Sequence, residues 1–331
     1  MRMTPRSRKI ICKACADLEA AITRYIEKAD DDMSDELGKA GYVDPDGTVN
    51  KIDDLEGDLE DALDEETDEI VNDLGQATSA DDLRSRWGKL KAKSTTANKI
   101  AIAYEKNMSD TIMELSDLYL KETCHDMRVT SLTKRTTDWI HSWAEDLGKL
   151  MQLTSHEQIE RVLADGLENG DDIQTITRAI QDAGIRESYG RARTTAITEV
   201  LAAHNVAHQE AQTQNPVVSQ KMWRHSGAYR IAPRPNHVDM DGQVVDVDQP
   251  FTLVGSDGNI YYPMYPCDTS LPAKERINCH CLSQDVVDQD VLAMSLADRK
   301  KLQQKAIDDD DGEWEAELDA QNKAKAGIEE E

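Results

Sequence analysis

Apolar residues recur every three or four positions through most of the first 150 residues, with charged residues between them. This spacing places the apolar side chains along one face of an α-helix. The clearest stripe consists of Ile52, Leu55, Leu59, Leu63, Ile70 and Leu74. Other stripes run from Leu18 to Leu37, from Leu83 to Leu90, over residues 97–122 and from Trp139 to Leu150. The pattern predicts a bundle or extended helical hairpins, and a coiled coil that binds a partner would give the same pattern.

Helical spacing continues over residues 155–213, with signals for new boundaries. Residues 154–157, Thr-Ser-His-Glu, fit a capping box and predict that a helix begins there. Gly184 predicts the end of a helix over residues 173–183, and Pro216 stops a longer helix that starts near residue 187.

The helical period disappears after Pro216. Short segments with β-branched and aromatic residues predict strands, and six prolines fall between residues 233 and 272. We therefore predict an α+β fold: a long-helix N-terminal part (bundle or hairpins), a small loop-rich α+β module at 217–290 and an acidic tail that is helical or mobile. The corresponding domains are residues 1–150, 151–290 and 291–331.

Charge is concentrated at the two flanks of the 331-residue chain, whose formal net charge is −27. Residues 29–83 hold 21 acidic and two basic side chains, and residues 283–331 hold 15 acidic and six basic ones. We expect these runs to be solvated helix faces and a solubilising tail. So negative a surface repels phosphate, which excludes a general nucleic-acid coat. Basic residues at 84–135 and 186–234 leave open local contact with DNA, a carboxylate-rich partner or internal ion pairs.

The compartment is predicted from apolar runs and cysteines. No apolar run approaches the ~20 residues that a membrane span requires. The basic first nine residues lead into no apolar signal segment. Six cysteines in a chain of this length do not form a disulfide scaffold. We expect a soluble protein, without membrane contact, that is made and kept in a reducing cytosol.

Two short spacings resemble metal or redox motifs but lack their usual context. Cys12 and Cys15 form a Cys-x-x-Cys sequence with no second pair nearby. His204 and His208 have the spacing of zinc proteases, but Asn205 stands where the water-activating glutamate would be. We expect both histidines to be solvated or to face a partner. With no phosphate-binding loop, dinucleotide motif or nucleophile elbow, we predict no catalytic residue and no enzyme.

An ordered series of short motifs runs from a helix near residue 196 to a Cys-x-Cys sequence near residue 280. Its members are Thr198, Glu199, Trp223, Arg234, His237, Asp241, Gly242, Pro250, Phe251, Asn278, Cys279 and Cys281. The series resembles the C-terminal domain of the Mu F-like minor head proteins of tailed phages, the phage head morphogenesis family. Two departures are His280, where the family has arginine, and a longer segment at residues 229–234.

The resemblance implies a minor capsid (head) protein of a tailed phage. Such a protein is a portal-associated structural component that acts in head assembly and in DNA packaging or ejection. Its expected partners are the portal protein and other head or neck proteins, with local contact to packaged DNA. Its expected location is the virion, in the head interior or at the portal vertex, after assembly in the host cytoplasm. We further expect residues 1–150 to supply the main partner contact. The rival hypothesis is a metal-dependent hydrolase or nuclease that uses His237 with Cys279 and Cys281, or His204 and His208.

The closing motif raises the question of a metal. His237, Cys279 and Cys281 would supply three nitrogen and sulfur ligands for zinc, with Cys267 or His280 as the fourth. A proline-rich module with little apolar content needs an additional stabilising cross-link, which a bound metal would provide. Alternatively, the cysteines are small buried thiols, and His237 and Asp241 only hydrogen-bond the loop. A metal held in this way would be structural, because a closed site leaves no position for water.

Overall fold

The computed structural model describes residues 32–225, 233–310 and 313–326; the side chains of residues 185–189, 313 and 314 are not described. The predicted stripe before residue 32 and the Cys12–Cys15 pair lie outside the described residues. Long helices precede a C-terminal region with a few short strands, which confirms the α+β class. Within the described residues, no helix combines the length and apolar composition that a bilayer crossing needs.

Long helices form most of the first two thirds of the chain. Residues 32–40 are helical and are followed by α1 Pro45–Leu74, α2 Ala80–Lys93, α3 Thr96–Thr123, α4 Lys134–Asn169 and α5 Ile173–Gln214. Local chemistry sets some of the ends. For example, Ser79 precedes α2, and its Oγ accepts a hydrogen bond from the Asp82 amide at 3.1 Å, satisfying one free donor of the first turn.

Short strands and helices follow α5. They are β1 Val218–Arg224, α6 Pro235–Asp239, β2 Val244–Asp246, β3 Leu253–Val254, β4 Ile260–Tyr261, α7 Ala273–Arg276, β5 Leu282–Val287, α8 Gln289–Leu292, α9 Leu296–Asp309 and α10 Glu313–Ala326. Strand β1 lies between β2 and β5 and is antiparallel to both, while β3 and β4 form a separate hairpin. In the middle of β1, Met222 is opposite Val244 on one side and Gln284 on the other.

The described residues fall into two compact units. Unit 1 contains Ile52–Asn107 and His141–Ala196. Its core confirms part of the predicted apolar pattern and consists of Ile70, Leu74, Leu83, Trp87, Ile159, Leu163, Ile176 and Ile180.

Unit 2 contains residues 32–51, Met108–Ile140 and the described residues from 197 onward. One of its core clusters lies in the module and consists of Ala202, Trp223, Met240, Phe251, Leu253, Tyr261, Cys267, Leu271, Cys279 and Cys281. A second cluster consists of Leu37, Tyr42, Val49, Leu201 and Leu282.

The helix start predicted at residues 154–157 is wrong, because α4 passes through this segment without a break. Thr154 Oγ1 donates to the Leu150 carbonyl at 2.9 Å, and Ser155 Oγ donates to the Met151 carbonyl at 3.2 Å. The hydroxyls therefore bond back along the helix and do not cap a new one. The predicted boundary between residues 150 and 151 lies inside this helix.

The helix end predicted at Gly184 is also wrong, since α5 continues through it. A Cβ added at Gly184 would lie 2.6 Å from the Thr67 side chain. The glycine is therefore explained by close packing inside unit 1.

The described part of the C-terminal segment is helical and packed within unit 2. Asn322 on α10 is fully buried; its Nδ2 donates to the Tyr262 carbonyl at 3.0 Å and its Oδ1 accepts from the Tyr262 amide at 2.9 Å. Ala326 packs against the module's core cluster. These contacts make α10 part of unit 2, so of the two alternatives predicted for the tail the helical one is confirmed for these residues.

Candidate metal centre in the C-terminal module

Three side chains with metal-binding atoms meet in the interior of the module. His237, Cys279 and Cys281 place one nitrogen and two sulfurs within 4.8 Å of one another. His237 Nδ1 is 3.5 Å from Cys279 Sγ and 3.8 Å from Cys281 Sγ. Their exposed fractions are only 2%, 3% and 3%. The structure thus brings together three of the predicted ligands.

The local backbone explains this convergence. Pro235 at the start of α6 has a backbone angle already suited to a helix, which fixes the turn that carries His237. After α7, Asn278 takes a left-handed conformation with φ of +55°, which asparagine tolerates better than most residues. The chain then passes Cys279 and Cys281 and enters β5 at Leu282.

A buried carboxylate orients the histidine. His237 Nε2 lies 3.2 Å from Glu275 Oε2, and the Glu275 side chain has no exposed surface. Glu275 also accepts hydrogen bonds from the Ser256 amide at 2.7 Å and from Asn236 Nδ2 at 3.0 Å. Burial raises the pKa of Glu275, but the hydrogen bonds from Ser256 outweigh it, and the net shift is downward. The carboxylate thereby holds Nε2 and leaves Nδ1 directed at the thiols.

Sequence analysis missed Glu275. Only two acidic residues, Asp268 and Glu275, occur between residues 259 and 284. A carboxylate four residues before Cys279 in so neutral a segment was the signal that could have identified it.

Two more side chains approach the group. Cys267, which is 1% exposed, donates its thiol to the Cys279 carbonyl oxygen at 3.0 Å. His225 Nδ1 lies 3.7 Å from Cys281 Sγ, a contact that the sequence analysis did not predict. His280 is not among the residues that the structure brings together.

The neighbouring groups shift the pKa values of two thiols in opposite directions. Hydrogen bonds with Cys267 and Cys281, assisted by His237, hold the pKa of the Cys279 thiol well below its usual range despite burial. The hydrogen bond with Cys279, together with burial, raises the pKa of the Cys267 thiol well above its usual range. A lowered thiol pKa favours the thiolate, which is the form that binds a metal.

Other members of the motif series tie α5 and α6 to the cysteine segment. Glu199 on α5 accepts hydrogen bonds from both terminal nitrogens of Arg276, one of them at 3.2 Å, and both side chains are buried. The neighbouring Thr198 is also buried. Arg234 donates to the carbonyls of Lys274 and Ile277, at 2.7 and 2.6 Å.

A second set of motif residues lies around Trp223, which contacts His237. Trp223 contacts the rings of Phe251 and His237 edge-on, with centroids 5.3 and 5.9 Å apart. Gly242, with φ of +85°, donates its amide to the Trp223 carbonyl at 2.9 Å. Asp241 Oδ1 accepts from the His225 amide at 2.9 Å. The partly buried Pro250 leads into Phe251.

The prediction that His204 and His208 are solvated or face a partner is wrong. His204 is fully buried, with hydrogen bonds to Thr48 Oγ1 at 2.8 Å and to the Tyr119 hydroxyl at 3.0 Å. Burial lowers the pKa of His204 to about 3, so its ring is neutral. His208 stacks on Tyr119 and bonds Asp285 at 2.8 Å. Both imidazoles are therefore core residues of unit 2.

Three of the basic residues considered for phosphate contact are engaged inside the protein. Arg193 Nη1 lies 2.8 Å from carboxylate oxygens of both Asp53 and Glu56. Arg191 donates to the Met151 carbonyl at 2.8 Å. Lys221 is fully buried. The side chains of Arg186 and Arg230 lie outside the described part of the chain. Arg193 is therefore explained by internal ion pairs, which was one of the three alternatives predicted for the basic residues.

Comparison with known proteins confirms the resemblance. Residues 157–284 match the family described as Phage Mu protein F like protein, a range that includes His237, Cys279 and Cys281. This segment of the chain is therefore similar to the Mu F-like family. The family suggests a structural protein of phage head morphogenesis.

A relative in Bacillus subtilis (strain 168), the protein YqbB, is described as uncharacterized. It is 38% identical over 200 residues, which are 60% of this chain and 64% of YqbB. The chain therefore spans less than two thirds of that relative's length. No solved structure matches the chain.

Proposed function

We propose that the protein is a minor capsid protein of a tailed-phage head. In this role it is a portal-associated structural component that acts in head assembly and in DNA packaging or ejection. The observation that carries the proposal is the match of residues 157–284 to the Mu F-like family. The virion, at the head interior or portal vertex, is the proposed location, with assembly in the host cytoplasm.

The contacts of the motif residues support a structural role. Glu199, Arg234 and Asp241 bond groups within the module, and Trp223 and Phe251 fill its core. These interactions hold backbone segments of the module together, as expected of a structural role.

The rival hydrolase or nuclease needs a metal with an open position for water. His237, Cys279 and Cys281 are all at least 97% buried, a geometry typical of closed structural sites. His204 and His208 have their ring nitrogens or faces occupied by core residues. The geometry therefore favours the head protein over the enzyme.

We also propose that residues 1–150 supply the main contact with the portal or another head protein, and that contact with packaged DNA is local. Two apolar side chains of this region, Ile102 on α3 and Leu150 on α4, are 58% and 54% exposed. They offer positions at which a partner contact can be broken without disturbing the core.

The first experiment removes the gene from a phage that encodes this chain and supplies the protein from a plasmid. Purified heads are analysed by quantitative mass spectrometry. We expect the chain in mature heads at a fixed ratio to portal, and defective heads or non-infectious particles without it. Absence of the chain from heads of wild-type phage would contradict the proposal.

The second experiment tests the partner region with the full-length chain. Ile102→Glu combined with Leu150→Glu should lower incorporation into heads at least tenfold while the melting temperature is retained. Lys106→Gln combined with Lys149→Gln changes the net charge equally at exposed positions of the same two helices and should incorporate normally. Normal incorporation of the glutamate variant would refute contact through these side chains.

A further inference from the structure

We propose that the module binds one structural zinc ion through His237 Nδ1 and the sulfurs of Cys267, Cys279 and Cys281. The site is independent of any role in the phage head, because it concerns how the module itself is held together.

The spacing of the donor atoms fits a tetrahedral zinc ion. With zinc–sulfur bonds of about 2.3 Å and zinc–nitrogen bonds of about 2.0 Å, sulfur and nitrogen ligands lie about 3.5 Å apart along a tetrahedral edge. His237 Nδ1 lies 3.5 Å from Cys279 Sγ and 3.8 Å from Cys281 Sγ. Little rearrangement is thus needed for all three atoms to share one ion.

The contact from His237 to Glu275 is typical of metal-bound histidine. Such a histidine usually donates its second ring N–H to a carboxylate or carbonyl, which fixes its tautomer and orientation. Glu275 Oε2 lies 3.2 Å from His237 Nε2, and Ser256 and Asn236 hold the carboxylate in place. His208 makes a similar contact with Asp285 in the core, so the contact supports a metal only together with the two sulfurs that face His237 Nδ1.

The proposed fourth ligand is Cys267, which approaches the group of three without belonging to it. Its thiol is fully buried and bonds the carbonyl oxygen of Cys279. Its backbone is left-handed, with φ of +66°, which a non-glycine residue adopts only where other interactions compensate. Three cysteines and one histidine form a known class of structural zinc site. His225, near Cys281, is partly exposed and is the competing fourth ligand.

The closed geometry gives the metal a structural role. Its ligands come from α6, from the loop before α7 and from the segment between α7 and β5. The ion would join three segments that share little regular secondary structure, and metal binding would then be coupled to folding of the module.

The test starts from the full-length wild-type protein, purified without chelator. We expect one zinc per chain by elemental analysis. Removal of zinc by a strong chelator should lower the melting temperature by more than 5 °C, and added zinc should restore it. Less than 0.2 zinc per chain after growth with zinc, together with unchanged melting in chelator, would overturn the proposal.

Substitutions then identify the ligands. Cys279→Ser and His237→Asn should each lose the zinc, and Cys124→Ser, which alters a buried thiol outside the group, should retain it. Cys267→Ser should lower zinc affinity at least tenfold, whereas His225→Asn should leave it unchanged. The reverse result for these last two variants would refute Cys267 as the fourth ligand.

Two further measurements do not depend on the folding of ligand variants. In wild-type protein loaded with cobalt, the absorption should be that of a tetrahedral thiolate complex; an octahedral spectrum would refute the site. Glu275→Gln should weaken zinc binding about 10- to 100-fold while the bound metal keeps the same ligands. Unchanged affinity in this variant would refute the assigned orienting role.

Discussion

The buried pair of Glu199 and Arg276 provides a quantitative test of the module's architecture. The pair joins α5 to the end of α7, three residues before Cys279. We expect Arg276→Met to lower the free energy of unfolding by about 3–5 kcal/mol, because it leaves a buried carboxylate without its partner. A pair on the surface would contribute only about 0–1 kcal/mol.

The structure decides between these two magnitudes. The side chains of Arg276 and Glu199 are only 8% and 2% exposed, and both terminal nitrogens of the guanidinium contact one carboxylate oxygen. The matched control is Arg84→Met, since the side chains of Arg84 and Asp81 are 62% and 96% exposed. We expect this control to change stability by less than about 1 kcal/mol.

The assay is urea denaturation, supplemented by native-state hydrogen exchange of the β1 amides, which reports on the module if unfolding is not two-state. Combining Arg276→Met with Glu199→Leu should restore most of the lost stability, because replacing both members of a buried ion pair with apolar groups is often neutral. A loss below about 1 kcal/mol in the single variant, or simple additivity in the double variant, would refute the reasoning.

Three more predictions concern packing and titration. Gly184→Ala should destabilise the protein by about 1–3 kcal/mol, because the new Cβ would lie 2.6 Å from the Thr67 side chain. As the control, Gly88→Ala places its Cβ in open space and should stabilise the protein by about 1 kcal/mol. Thermal melting of both variants tests the two values. Trp223→Ala should cost about 3–5 kcal/mol in urea denaturation, since the side chain is fully buried. Burial lowers the pKa of Lys221 to about 7 from an ordinary value of 10.5. The unfolded chain therefore binds more protons than the folded chain between these pH values. As pH rises from 7 to 10, the free energy of unfolding of the wild type should increase relative to that of Lys221→Met by about 1.4 kcal/mol per pH unit. A flat difference across that range would contradict the assignment.

The apolar stripes could be read from the sequence because burial of a helix face leaves a regular signal. Ile52, Leu55 and Leu59, which were predicted to lie on one face, are fully buried. Helix ends were harder to predict, because Ser and Thr both cap helices and bond back within them. At Thr154 the second behaviour occurs.

Contacts distant in sequence account for the remaining errors. Gly184 resembles a helix terminator unless Thr67 is known to lie against it. His204 resembles a solvated histidine until Thr48 and Tyr119 are found on its two ring nitrogens. In the candidate metal centre, the sequence supplied the ligand types, but the contact between His237 and Glu275 depends on the path of the chain between them.

The structure also changes how the acidic flanks should be interpreted. Several carboxylates of residues 29–83 are buried, including Glu56 beside Arg193 and Glu66 beside His156. In the C-terminal flank, Glu315 pairs with Arg135, and both side chains are at most 15% exposed. The expectation of purely solvated charge is wrong at these positions. A buried, paired carboxylate contributes little to the field at the surface, so the negative potential there comes mainly from the remaining exposed acids.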